Sequence, residues 1–483
     1  MHTQDRIVLD QASIALGSQI FFENFSWRLK PGEHWVISGN AGTGKSFLAE
    51  ALAQKHRLIS GSRTYPFLGD NPSFDERQAA IQMISFMDTG RLFRSVNAVH
   101  YYQQRYNAFD SDGHLTVRQY LEHGGFDIRK HEGLLQSIGI FDLLELERIK
   151  LSSGQTRKML LCKVMLKEPK ILILDNPYIG LDTGSRQFLN ELLDNLVETQ
   201  DISLVLAGHY RDLPKSINHR LHIYPNKKIE AGPLKNFLKK KDNPSINEEA
   251  LTQIKKKYQE SEQAETFDSI IRFEEVNIQY KDKQILKDLN WEVKAGEKWR
   301  IIGPNGSGKS TLLSLIYADN PQAYANSIFL FDQKVGSGQS IWDVKKRIGF
   351  TSPELHAYFD RDISAWELVL TGMTDTFYLK TKAQEKDKEL ARLLFQYFEL
   401  ESIIDQSFER LSTGTQRLLL LIRALVKAAP VLLLDEPFQG LDEISIYRSR
   451  YLLDKVLSER HTLLFISHFQ EEAPDCVDLE LGL

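Results

Sequence analysis

The chain has 483 residues, enough on length alone for two or three domains. Its 42% hydrophobic and 26% charged residues are ordinary for a globular protein with large buried cores. A formal net charge of −5 excludes a broad electrostatic pull toward nucleic acid, and two cysteines exclude a disulfide framework, which points to a reducing compartment.

The first ten residues, MHTQDRIVLD, lack the basic and apolar regions of a signal peptide. No run approaches the roughly 18 apolar residues of a membrane span. LLLLIRALV comes nearest, and Arg423 interrupts it. The expectation is a cytoplasmic protein whose membrane role, if any, comes through a partner.

Next in chain order, the apolar run WVIS leads into residues 39–46, GNAGTGKS. These are Gly39, Asn40, Ala41, Gly42, Thr43, Gly44, Lys45 and Ser46, a GxxxxGK(S/T) phosphate loop. Residues 88–150 read as a polar-amphipathic, largely helical insertion that ends at LSSGQ, residues 151–155. KILILD is a short run typical of a strand buried on both faces, ending in Asp175 and followed by Asn176. LAGHY then places His209 just after another apolar run.

The first half ends near residue 232 and the second begins near residue 268. Between them, residues 234–267 hold seven Lys against six Asp or Glu. A nearly neutral, solvated linker is expected at 233–267, with Ser245 and Glu248 as a capping box opening a surface helix.

The second half repeats the first in order. GEHWVISGNAGTGKS matches GEKWRIIGPNGSGKS, ILILDNPYIGLD matches VLLLDEPFQGLD, and LAGHY matches FISHF. Its phosphate loop, residues 303–310, is Gly303, Pro304, Asn305, Gly306, Ser307, Gly308, Lys309 and Ser310, followed by Thr311. Residues 354–410 read as a second helical insertion, ending at LSTGT, residues 411–415. VLLLD ends in Asp435, Glu436 follows, and His468 lies late in the half. A repeat this long reads as gene duplication. Alternating strands and helices imply an α/β fold with two tandem domains, 1–232 and 268–483, each an α/β core with an inserted helical subdomain.

The chemistry follows from residue types. Loop glycines let backbone amides approach phosphate oxygens closely. Lys45 and Lys309 are expected to reach the β- and γ-phosphates of ATP, while Ser46 and Ser310 ligate Mg²⁺. Asp175 and Asp435 are expected to hold Mg²⁺ through its water shell. Glu436 can act as base or polariser for the attacking water. Asn176, a neutral amide, can orient water but cannot take its proton. Ser and Gly at a helix start present a hydroxyl and free amides to a phosphate, although either loop alone reads as a helix N-cap.

These motifs resemble those of the ABC ATPase superfamily over both halves. More narrowly, LSSGQTRKMLLCKVMLKEPKILILDNPYIGLD and LSTGTQRLLLLIRALVKAAPVLLLDEPFQGLD look like the tandem molybdate-transport ATP-binding proteins of the ModF type, also called PhrA-like. The resemblance implies P-loop ABC cassettes that pair head to tail and sandwich two ATPs. It makes His209 and His468 switch histidines and Tyr280 the aromatic that stacks on adenine. It completes the Lys309, Asp435, Glu436 and His468 site with Ser152, Ser153, Gly154 and Gln155. It completes the Lys45, Asp175, Asn176 and His209 site with Ser412, Thr413 and Gly414. Around Leu16 no aromatic matches Tyr280, so that second composite site departs from the family at both base and adenine platform. It is expected to bind ATP and to hydrolyse it slowly or not at all.

The family's Gln at the entry to the helical subdomain is absent too. Phe86-Met87-Asp88 and Pro353-Glu354 stand there, with Asp88 or Glu354 as candidate substitutes. Three roles compete: energiser of a membrane permease for molybdate or another oxyanion, soluble ATPase on a ribosome or nucleic acid, and slow nucleotide-state switch. The short, neutral linker disfavours the ribosomal role. Two isolated cysteines cannot build the zinc insertion of repair-type relatives.

Overall fold

The computed structural model describes residues 4–16, 19–40, 42–86, 115–123, 125–208, 213–237, 244–261, 267–280, 283–359, 362–377 and 385–483. The chain divides into two compact units, Met1–Lys241 and Asp242–Leu483.

In the first unit the strands are β1 (Ile7–Leu16), β2 (Gln19–Leu29), β3 (Trp35–Gly39), β4 (Leu58–Thr64), β5 (Ile81–Ser85), β6 (Ile171–Asp175), β7 (Ser203–Ala207), β8 (His219–Ile223) and β9 (Ile229–Pro233). They form an antiparallel sheet, β2-β1-β4, and a six-stranded sheet, β5-β6-β7-β3-β8-β9. The larger sheet is parallel except for its last pair. β6 and β7 are buried at every position, which is why ILILD and SLVLA are apolar without alternation. One core lies between the two sheets, around Ile37, Leu48 and Ile173. Another joins the parallel sheet to the helical side, around Leu121, Ile138, Leu161 and Leu193.

The second unit repeats the plan. Its strands are β10 (Ser269–Tyr280), β11 (Lys283–Lys294), β12 (Lys298–Ile302), β13 (Ser327–Leu330), β14 (Gln333–Lys334), β15 (Ile348–Thr351), β16 (Val431–Asp435), β17 (Thr462–Ile466) and β18 (Leu479–Gly482). The sheets run β11-β10-β13-β14 and β15-β16-β17-β12-β18. Side-chain packing repeats as well. Trp27 meets Trp35 edge to face at 5.3 Å, and Trp291 meets Trp299 at 5.5 Å. The tandem α/β architecture expected from the sequence is what the fold shows.

Of the insertion read at 88–150, the described part carries the helices Val117–Glu122 and Glu132–Ile138. The insertion at 354–410 carries Ala365–Leu370 and Glu385–Tyr397.

The linker reading needs correction. The helix Glu248–Ser261 packs into the second unit and buries Ala250, Leu251, Ile254 and Tyr258. Tyr258 is 0% exposed and its hydroxyl donates to Leu425 O at 2.8 Å. Residues 250, 251, 254 and 258 recur at helical spacing, so the charges occupy one face and the apolar residues the other. The cap also differs from the Ser245 expectation. Asn247 Oδ1 accepts from Ala250 N at 3.0 Å, while Ser245 O accepts from the Arg448 guanidinium.

Candidate functional site

In each unit the phosphate loop leaves the carboxyl end of a central parallel strand, β3 or β12, and runs into a helix, Lys45–Leu52 or Lys309–Ile316. That is where open α/β sheets bind ligands, with a helix N-terminus facing the anion. The loop geometry needs its glycines. A Cβ on Gly39 would lie 2.3 Å from Ile223 O, and one on Gly44, at φ +99°, 2.4 Å from the Phe21 ring. Lys45 Nζ donates to Gly39 O at 2.8 Å and Asn40 O at 2.7 Å. Lys309 Nζ does the same to Gly303 O at 2.5 Å and Pro304 O at 2.9 Å. Each ammonium lies over its own loop.

The strand-end carboxylates lie beside these loops. In the first unit Ser46 Oγ donates to Asp175 Oδ1 at 2.9 Å, and Ser85 Oγ to Oδ2 at 3.3 Å. Burial pushes the Asp175 carboxyl up to about 6, against the two serine bonds, which lower it. A buried carboxylate flanked by hydroxyls is a hard-oxygen donor set, and a divalent cation there would offset its desolvation. The residues therefore fit Mg²⁺, with Ser46 and Asp175 as its holders. Ser85, at the end of β5, belongs to this cluster. The sequence offers only a lone Ser there, with no spacing to mark it. In the second unit Asp435 ends β16 and Ser310 opens the helix after its loop.

The next residue separates the halves chemically but not in backbone. Asn176 and Glu436 both adopt left-handed φ, 52° and 44°, and their amides donate to Ala207 O and Ile466 O at 2.7 and 2.9 Å. Asn176 Nδ2 donates to Asp175 Oδ1 at 2.9 Å, so its side chain is turned onto the strand-end carboxylate. Glu436 Oε1 lies 2.9 Å from His468 Nε2, and Gln439 Nε2 donates to Oε2. Burial raises the Glu436 carboxyl, but the His468 bond and the charges of His468, Arg417 and Lys309 outweigh it and hold it below the usual range. The group is ionised at neutral pH, as a water-polarising carboxylate must be.

Arg417 is a residue the motif reading missed. It lies on the signature helix Thr413–Leu425, and its guanidinium binds both the backbone carbonyl of Gln439, at 2.8 Å, and that side chain. It therefore fixes the turn after Glu436. Arg157 on the helix Ser153–Met165 grips the same turn of the first half through Pro177 O at 2.8 Å and Ile179 O. Each arginine follows its signature loop by two residues, and that shared offset was the available signal.

The signature residues are helix starts. Ser152 and Gln155 form a reciprocal capping box, and Ser412 Oγ accepts from Thr415 N at 3.2 Å. Gly154 and Gly414 lie within the first turns. Tyr280 is half-buried at the end of β10, its hydroxyl accepting from Asn320 Nδ2 at 2.9 Å. The first unit does hold an aromatic at its loop. It is Phe21 of β2, against Gly44, rather than a residue near Leu16. Ala41, Asp88 and His209 lie outside the described residues.

Two halves, each with a phosphate loop, a strand-end Asp and a signature helix, define a tandem nucleotide-hydrolysing P-loop protein. The ABC transporter family matches twice, over residues 22–179 and 286–439, and the chain belongs to that family of ATP-hydrolysing enzymes. It is 33% identical over 461 residues to the ABC transporter ATP-binding protein ModF of Escherichia coli, covering 93% of this chain and 91% of that one. It is 31% identical over 467 residues to an uncharacterised ABC transporter ATP-binding protein of Schizosaccharomyces pombe, covering 95% and 93%. Among solved structures, the RNase-L inhibitor matches with a TM-score of 0.56 at 18% identity, over 98% of this chain and 88% of that one. An archaeal ribosome recycling factor matches at 0.55 and 17%. At such identity these two carry the fold alone. No described helix is long and apolar enough to cross a membrane.

Proposed function

We propose that this tandem ABC ATPase hydrolyses ATP chiefly on Lys309, Ser310, Asp435, Glu436 and His468, and uses the first phosphate loop to bind ATP and respond to it. The observation that carries this is the exchange of Glu436 for Asn176 on turns that share a left-handed φ and the same backbone bond to the neighbouring strand. One side chain is an ionised carboxylate facing His468. The other is an amide bonded to Asp175. Only the first can accept a proton or polarise water through a full charge. Mg²⁺ supplies charge neutralisation at the β- and γ-phosphates. Lys309 holds the polyphosphate, and Glu436 orients the attacking water.

For the partner, we propose a membrane permease of the molybdate or oxyanion type. The support is the likeness to the transporter ATP-binding protein ModF over nearly the whole chain. A soluble role on the ribosome is the second reading. It is favoured by Pro353-Glu354 after β15, where the resemblance calls for the coupling Gln.

The test is to measure the ATPase rate of the purified chain with native inner-membrane vesicles, with ribosomes and with neither. Stimulation by vesicles, lost on stripping their membrane proteins, supports the permease. Stimulation by ribosomes alone replaces it with the second reading. Indifference to both leaves neither partner standing.

A further inference from the structure

The first phosphate loop is touched by a residue far away in sequence. Lys227 lies in the tight turn between β8 and β9, closed by Tyr224 N to Lys228 O and Lys227 N to Tyr224 O, both 2.9 Å. Its φ is +65°, a left-handed value that Asn or Gly adopts at less cost than Lys. Its ammonium donates to Gly42 O at 3.3 Å and Thr43 O at 3.2 Å. It also stands 3.9 Å above the centre of the Phe21 ring, the ring that Gly44 must be glycine to accommodate. Partial burial lowers its pKa, yet it keeps these partners.

Lys45 covers the carbonyls of Gly39 and Asn40, and Lys227 covers those of Gly42 and Thr43. Four carbonyl dipoles of one short loop are thus neutralised by two ammonium groups. A peptide whose carbonyl is held outward turns its amide the other way, toward an anion in the loop. The second loop is built differently. Its Gly308 packs on the aliphatic Ile285 and Leu286, and Thr311 stands where the first loop has buried Phe47. The first site therefore carries a ring where the second has a hydroxyl at the helix start, and Lys227 stands on the outer wall of its loop.

We propose that Lys227 is a positioning residue for a nucleoside polyphosphate at the first phosphate loop. It holds the Thr43–Gly44 peptide with its amide inward, braces the Gly42 carbonyl of the turn that Thr43 N closes onto Asn40 O, adds positive charge beside the polyphosphate, and is itself seated by Phe21. The proposal rests on the reading that this loop binds ATP.

The test uses the whole chain carrying Lys309→Ala, which silences the second loop, with Mg²⁺ and ATP as the calorimetric probe. On that background Lys227→Met should weaken ATP binding about tenfold, the worth of one charge-assisted bond. Lys227→Arg should restore most of it, and the nucleotide-free melting temperature should stay put, because the side chain is half-exposed on a surface turn. If Lys45→Ala abolishes binding while Lys227→Met leaves it intact, the proposal is overturned and the reading of the loop stands. If Lys45→Ala leaves binding intact, both fall. Equal losses of affinity and nucleotide-free stability, unrescued by Arg, would make Lys227 a fold contact and overturn the proposal.

Discussion

His468 Nε2 lies 2.9 Å from Glu436 Oε1, and the two come from the ends of different parallel strands, β17 and β16. The pair is set by the sheet: β16 and β17 are neighbours in register, with Asp435 opposite Ile466. We propose that this histidine, held by the carboxylate, also meets the γ-phosphate and so senses the nucleotide. His468→Ala should lower the turnover number by about 10²–10³, the cost of one transition-state donor. Its ATP affinity should change far less. Steady-state phosphate release with calorimetric ATP binding checks both.

Burial, followed by the charges of Arg220 and Lys45, lowers His222 from its ordinary value to about 4. It sits at the first phosphate loop, 3.0 Å from Ser38 Oγ. The folded protein keeps this ring neutral down to about pH 4, while the unfolded chain protonates it near 6.5. The unfolded state therefore binds more protons between these values. Stability is full above pH 6.5 and falls as pH drops toward 4. Melting curves across that window should show a decline that His222→Gln flattens. An unchanged slope in the variant would assign the decline to other groups.

The helix Glu248–Ser261 should behave as part of the second unit's core. Tyr258→Ala removes a fully buried ring and should cost about 3–5 kcal/mol. Tyr258→Phe removes only a hydroxyl, and Leu425 O still accepts from Ala428 N at 3.0 Å, so about 1 kcal/mol is expected. Denaturant unfolding measures both. Equal, negligible effects would return this helix to the status of a solvated linker.

Local chemistry was legible in the sequence. The loops, the strand-end carboxylates and the Glu436–Asn176 difference each lie in a contiguous motif, so a strand–loop–helix reading places them. Long-range relations were not. Lys227 reaches Gly42 across 185 positions because β8 runs beside β3. Phe21 reaches Gly44 because β2 folds back along β1 through several register shifts. A reading of the positions around Leu16 alone therefore does not reach the ring that packs on the first loop. At residues 233–267 the helix was legible but its burial was not: a charge count averages over a helix and hides an apolar stripe of four residues on one face.

The central claim is that hydrolysis is concentrated on Glu436 although the chain carries two phosphate loops. Single-turnover and steady-state ATP hydrolysis by Glu436→Gln and Asn176→Ala, compared with the unaltered chain, tests it most directly. The account predicts a loss of about 10²–10⁴-fold for Glu436→Gln with ATP still bound, the usual worth of a general base. It predicts less than about threefold change for Asn176→Ala, under about 0.7 kcal/mol of barrier. Strong residual hydrolysis in Glu436→Gln, or a comparable collapse in Asn176→Ala, would contradict it.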